Sequence, residues 1–254
     1  MLSIGICTDF INLPDVSRLG YDYVELPLAE LAALTESEFQ EFVAYAEGCG
    51  LRVAACRHML PEDLPVTGPK VNATALHGYL SHALGRAQRL GVKVVTLDCV
   101  RAAGDDYAFA CRQLGNFLRL TQGHAKECGL VVALEPMRKA DGSLLSLVSE
   151  ATLISGLLQL DNIAVSAHWG AMAMASEPPG TLRRAAPLLR HVHVENALTR
   201  RLPRPGDGED YARLTRVLED IGYIGGVSLC GEITGTFARD AAAALDCIRS
   251  AAQA

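Results

Sequence analysis

Residues 128–135 read CGLVVALE: a cysteine and a glycine, then five apolar residues, then a glutamate. A glycine just past a helix ends it at little cost, because glycine takes up the left-handed backbone conformation easily. The run that follows is too short for a helix and too uniformly apolar for a strand with one wet face. It predicts a strand covered on both faces, as in a parallel sheet. The same punctuation recurs in LGYDYVEL (19–26), CGLRVAAC (49–56), LGVKVVTL (90–97) and, in longer form, IGYIGGVSL (221–229).

Extending this reading along the chain gives eight candidate strands: Ser3–Thr8, Tyr21–Pro27, Leu51–Arg57, Lys93–Asp98, Leu130–Glu135, Ile163–His168, His191–Glu195 and Gly226–Glu232. Helical patterns lie between most of them. Phe39, Phe42, Val43 and Ala46 share one helical face, as do Leu76, Leu80, Ala83, Leu84 and Ala87, and Tyr211, Leu214, Val217, Leu218 and Ile221. Thr35 before Glu36 marks a helix start, and Asp210 marks another. Eight strands alternating with helices over 254 residues predict an α/β fold, a single (β/α)8 TIM barrel occupying residues 1–254. No glycine-rich phosphate loop follows the first strand, which argues against a dinucleotide fold. No linker rich in Pro, Gly or Ser divides the chain, and SEPPGT (176–181) reads as a loop.

Composition narrows the partners. The net charge is −6 and Lys and Arg are not clustered, apart from the short TRRLPRP at 199–205, so no nucleic acid is expected. The longest apolar runs, such as Leu130–Leu134 and Ala241–Leu245, fall far short of the ~20 residues of a membrane helix. MLSIGICTDF at the start lacks the basic region of a secretory signal, and a cytoplasmic location is expected. The eight cysteines (Cys7, Cys49, Cys56, Cys99, Cys111, Cys128, Cys230, Cys247) show no CxxC spacing and read as reduced thiols, most of them in apolar stretches.

The polar residues that close the strands carry the chemistry. In a barrel of this kind the active site is built from side chains at the carboxyl ends of the strands. Here those ends carry Glu25, His58, Asp98, Glu135, His168, His193 and Glu232. Charged groups closing apolar strands need partners, and a shared cation is the simplest one. Glu135, His168, His193 and Glu232, from the fifth to eighth strands, make a complete set for one divalent ion with room for substrate oxygens. A lone histidine such as His168 in IAVSAHWGAM (163–172) is more often structural, and its company makes it a candidate. Alternation puts His191 and His193 on one side of their strand, with His191 the deeper.

At this point the sequence resembles the xylose isomerase-like barrels, the sugar phosphate isomerase and epimerase group related to endonuclease IV. The resemblance spans nearly the whole chain and rests on GYDYVELP (20–27), VNATALHGYLSHALGRAQRLGVKVV (71–95), ALEPMRKADGSLL (133–145), PLLRHVHVEN (187–196) and PGDGEDYARLTRVLEDIGYIGGVSL (205–229). It implies a metal held by Glu, Asp, His and Glu at the ends of the last four strands. Glu135 and His193 match. His168 stands where the aspartate is expected, Ala171 where a histidine usually follows it, and Cys230 where the last glutamate is expected, with Glu232 two residues beyond on the same face. Nitrogen or thiolate donors in such a set move the preference from magnesium or manganese towards zinc or iron.

The resemblance implies an isomerase or epimerase of a small sugar, sugar acid or polyol. It would work by proton abstraction through an enediolate, with Glu135 as one base and Glu232 as the second. Glu25, Arg138, Asp141 and Arg200 match positions that often contact substrate. The same constellation suits a dehydratase or lyase, and the departures from the pattern also suit a catalytically degenerate sugar-binding barrel. Related barrels form dimers or tetramers, so a homo-oligomer is compatible with the sequence.

Overall fold

Gly129, the residue on which the reading above turns, takes a left-handed conformation (φ 64°) directly after a helix. Gly20, Gly50, Gly91 and Gly222 do the same after theirs. The computed structural model describes residues 2–98, 100–101 and 106–253. Its strands are β1 (Ser3–Cys7), β2 (Tyr23–Pro27), β3 (Val53–Arg57), β4 (Val94–Leu97), β5 (Val131–Leu134), β6 (Ile163–His168), β7 (Leu189–Val194) and β8 (Gly226–Leu229). Its helices are α1 (Leu13–Leu19), α2 (Leu28–Ala33), α3 (Glu36–Gly48), α4 (Ala73–Arg89), α5 (Tyr107–Cys128), α6 (Val148–Leu158), α7 (Trp169–Met174), α8 (Thr181–Ala185), α9 (Tyr211–Asp220) and α10 (Phe237–Ala251).

The strands pair in sequence order, each parallel to the next, and β8 returns to pair with β1, closing the barrel. All eight expected strands are present, the last one ending at Leu229 rather than Glu232. Helix starts also follow the sequence. Thr35 accepts from the Glu38 amide while the Glu38 carboxylate accepts from the Thr35 amide, a reciprocal cap for α3, and Asp210 caps α9. The seven described cysteines are all free, and Cys99 lies outside the described residues. Among the described residues no helix is long and apolar enough to cross a membrane.

The apolar core lies between the strands and the helices. Ile4 and Ile6, Val24 and Leu26, Val132 and Leu134, Val192 and Val194, and Val227 and Leu229 alternate along their strands and belong to this core. The opposite strand faces, turned into the barrel, carry small or polar residues: Gly5 and Cys7, Tyr23 and Glu25, Ser166 and His168, His191 and His193. The strands are thus less uniform than continuous apolar runs imply. Alanines and cysteines on the inner face hide the alternation, and the inner lining contains the polar groups.

Tyr23 fills the barrel interior. Its hydroxyl lies 2.8 Å from Ser228 Oγ, and its ring occupies the space that a Cβ on Gly5 would enter, 2.2 Å from Tyr23 Cε2. Gly226 closes off a retreat, since a Cβ there would lie 2.5 Å from the same hydroxyl. Gly5→Ala is therefore expected to destabilise the protein by about 1–3 kcal/mol or more, read from the midpoint of urea unfolding.

Candidate active site at the carboxyl end of the barrel

Strand parity and register bring the site together. In neighbouring strands His168 is in register with His193, and Cys7 with Glu25. Glu135 directly follows β5, and Cys230 follows β8, where its amide donates to Val194 O. Glu25, Glu135, His168, His191 and His193 are all buried, with Glu25 at 0% exposure.

These groups form a continuous line. His191 Nε2 donates to Glu25 Oε2 at 2.7 Å, and His193 Nε2 donates to Glu25 Oε1 at 3.0 Å. The other nitrogen of His193, Nδ1, donates to Glu135 Oε2 at 2.6 Å, and the Ser166 hydroxyl donates to that same oxygen at 2.6 Å. Among the described residues Glu135 Oε1 has no hydrogen-bond partner.

The charges follow from this geometry. Burial works to raise the Glu135 pKa, but the His193 charge and hydrogen bond, together with His168 and Ser166, outweigh it and hold the carboxyl down at about 2. Glu25 is likewise buried, and His193 and His191 hold it well below the usual carboxylate range. Burial alone would strip the proton from His193, whereas Glu135 and Glu25 raise its pKa well above the usual value. His193 is thus an imidazolium clamped between two carboxylates. His168 is different: burial dominates and lowers its pKa despite Glu135 and Glu195 nearby.

A second cluster lies beside the first. The Ala171 amide donates to His168 Nδ1 at 3.2 Å, orienting the ring so that Nε2 lies 3.8 Å from both Cys230 Sγ and Glu195 Oε1. Glu195 is paired with Arg138, whose guanidinium also donates to Ala197 O at 3.2 Å. The Cys7 and Cys230 thiols lie close enough to shift one another's pKa, linking the two clusters.

Two trios place one potential ligand atom each within 4.8 Å of one another: Cys7, Glu25 and His193, and His168, Glu195 and Cys230. The residues of the expected quartet do not form such a group. Glu135 and His193 are bonded to each other, and Glu232 is exposed, its amide donating to Arg200 O at 2.7 Å. Cys230 takes the place expected for Glu232, because β8 ends at Leu229 and the chain turns away at Gly231 (φ 140°). Glu25 is placed differently from a substrate contact: both its oxygens are taken by histidines beneath the mouth. Asp141 and Arg200 come together at the mouth, 3.7 Å apart and exposed.

Cys7, Ser166 and Glu195 join the site without having been singled out in the sequence. Ser166 and Cys7 had a readable signal, since each shares the inward parity of a strand end. Glu195 had the same signal, since it shares the parity of His191 and His193, although β7 itself ends at Val194.

The donors present are carboxylate, imidazole and thiol. Such a set fits a borderline-soft divalent ion such as zinc, and fits poorly the all-oxygen octahedral shell that magnesium prefers.

Comparison with known proteins agrees with the architecture. The chain is similar in structure to 3-keto-D-glucoside 4-epimerase from E. coli (17% identity, 100% of both chains, TM-score 0.82). It is also similar to D-psicose 3-epimerase from Clostridium cellulolyticum H10 (20% identity, 99% of both chains, TM-score 0.84). A third similar structure is an AP endonuclease, family 2, from Brucella melitensis (17% identity, 94% of this chain and 96% of that one, TM-score 0.81). At these identities the likeness is one of fold. No curated protein matches the chain in sequence. The profile of one family does match, over residues 13–251, and with the closed parallel barrel it settles the membership: the chain belongs to the xylose isomerase-like TIM barrel family.

Proposed function

We propose that the protein is a metal-dependent isomerase or epimerase of a small sugar, sugar acid or polyol, with Glu135 as the base that moves a proton on the carbon next to a carbonyl. The observation that carries this reading is the state of Glu135: buried at the carboxyl end of β5, held ionised, and bonded through Oε2 alone. Oε1 remains to face a substrate hydrogen. The fold neighbours whose names describe sugar epimerases are in accord with it.

His168, Glu195 and Cys230, whose potential ligand atoms lie within 4.8 Å of one another, would hold the ion, with Cys7, Glu25, Glu135 and His193 packed beside them. When bound, the ion supplies positive charge that stabilises negative charge gathering on neighbouring substrate oxygens. The chain's own residues do the rest. Ser166 and His193 fix the Glu135 carboxylate, His191 and Glu25 fix His193, and burial excludes water from the proton being moved. Arg200 and Asp141 at the mouth meet the outer hydroxyls of a sugar.

A β8 that ends in a thiol bears on the reaction type. Inversion at one carbon needs a second proton carrier on the opposite face, whereas exchange of a carbonyl between neighbouring carbons needs one base. With Glu232 exposed and Cys230 at the strand end, the one-base isomerisation suits the site better.

The test is solvent deuterium incorporation into a panel of aldoses, ketoses and sugar acids by zinc-loaded protein. Deuterium next to the carbonyl supports the reading, elimination products replace it with a lyase, and binding without exchange replaces it with a sugar-binding barrel. A separate measurement addresses the ligand set. The cobalt-substituted protein is expected to bind roughly one ion per chain and to show a near-ultraviolet thiolate-to-cobalt charge-transfer band. Cys230→Ser should abolish or shift that band, and a spectrum identical to the wild type removes Cys230 from the shell.

A further inference from the structure

The opposite, amino-terminal end of the barrel contains a cavity of about 730 Å³. Its rim carries Arg52, one residue before β3, Lys93, one residue before β4, and Arg190 in β7, which lies four strands around the ring from β3. The cations thus approach one opening from both sides. No Asp or Glu lines the cavity, and among the described residues none of the three cations is in an ion pair. All three are exposed, Arg52 lying 6.0 Å from the Tyr23 ring centroid and Arg190 donating only to Leu189 O. The inner wall is polar too, formed by the buried His191 and Tyr23.

In a chain with net charge −6, an opening ringed by three cations without a carboxylate concentrates positive potential at one place. Arginine forks match the oxygens of phosphate in pairs, and a lysine adds a point charge. We propose that this cavity is a second ligand site, separate from the Glu135 site, that takes a small molecule bearing two linked or neighbouring phosphate groups. The cavity has room for such a ligand, and three cations balance most of its charge. Its inner wall, His191, is also the residue that holds Glu25 beneath His193, so a ligand there rests against the support of the Glu135 site.

The experiment is calorimetric titration of the intact protein with inorganic pyrophosphate at low salt, in the wild type, in an Arg52→Met/Lys93→Met/Arg190→Met variant and in Glu135→Gln. All three cations are exposed, so the triple variant is expected to fold, which circular dichroism checks. The expected result is saturable wild-type binding, a loss of at least about tenfold in affinity in the triple variant, and unchanged affinity in Glu135→Gln. Absence of wild-type binding overturns the proposal, as does binding that survives in the triple variant or disappears in Glu135→Gln. Citrate binding as tightly as pyrophosphate overturns the assignment to phosphate.

Discussion

Glu135→Gln is expected to lower kcat by about a hundredfold to ten-thousandfold, and solvent deuterium incorporation with it, while the circular dichroism spectrum stays that of the wild type. Glutamine keeps the shape of the side chain and can still accept from Ser166, so the strand end has no reason to move. What it lacks is a lone pair basic enough to take a proton from carbon. The change also removes one of the two carboxylates that raise the His193 pKa, leaving Glu25, which still donates its charge from the other side of the ring. The barrel therefore keeps its buried line of partners and loses only the base. Turnover unchanged from the wild type would remove Glu135 from the mechanism.

Arg138→Met is expected to destabilise the protein by about 3–5 kcal/mol in urea unfolding at neutral pH. The family resemblance implies a substrate contact for Arg138, and the fold pairs it with Glu195, both side chains being 8% exposed. Removing the guanidinium leaves a carboxylate in a poorly solvated place with His168 3.8 Å away as its nearest possible partner. Methionine fills much of the arginine stem's volume, so the loss is one of charge pairing rather than of packing. The double variant Arg138→Met/Glu195→Gln should regain most of that stability, because no uncompensated charge remains. An arginine that served substrate alone would give a raised KM with unchanged stability, and that outcome would refute the structural role.

The barrel was legible because its signals are local. Glycine after a helix, a short apolar run and a polar strand end are properties of eight or so consecutive residues, and Gly129 with VVALE contains all three. Closure follows from counting such units. Glu135, His168 and His193 were legible for the same reason, since each closes its own strand on the inward parity.

The partners of those residues were not legible. Whether Cys230 or Glu232 completes the mouth depends on where β8 stops hydrogen-bonding to β7, and that is set by Val194 and Leu229 across two strands. The family resemblance implies Arg138 as a substrate contact, and it becomes the counter-charge of Glu195 because the loops after β5 and β7 meet over β6.

The sequence by itself thus determined the architecture, the end of the barrel where the candidate site gathers, and which strands supply its donors, because helix stops, burial on both faces and side-chain parity are short-range consequences of residue type. Only the tertiary structure decided which donor faces which: His193 between two carboxylates, Cys7 beside Cys230, Glu25 sealed beneath the mouth, and three cations around the far opening. Those pairings join residues as many as 223 positions apart, Cys7 and Cys230. They depend on register and barrel closure, which carry no mark in any single stretch of the chain.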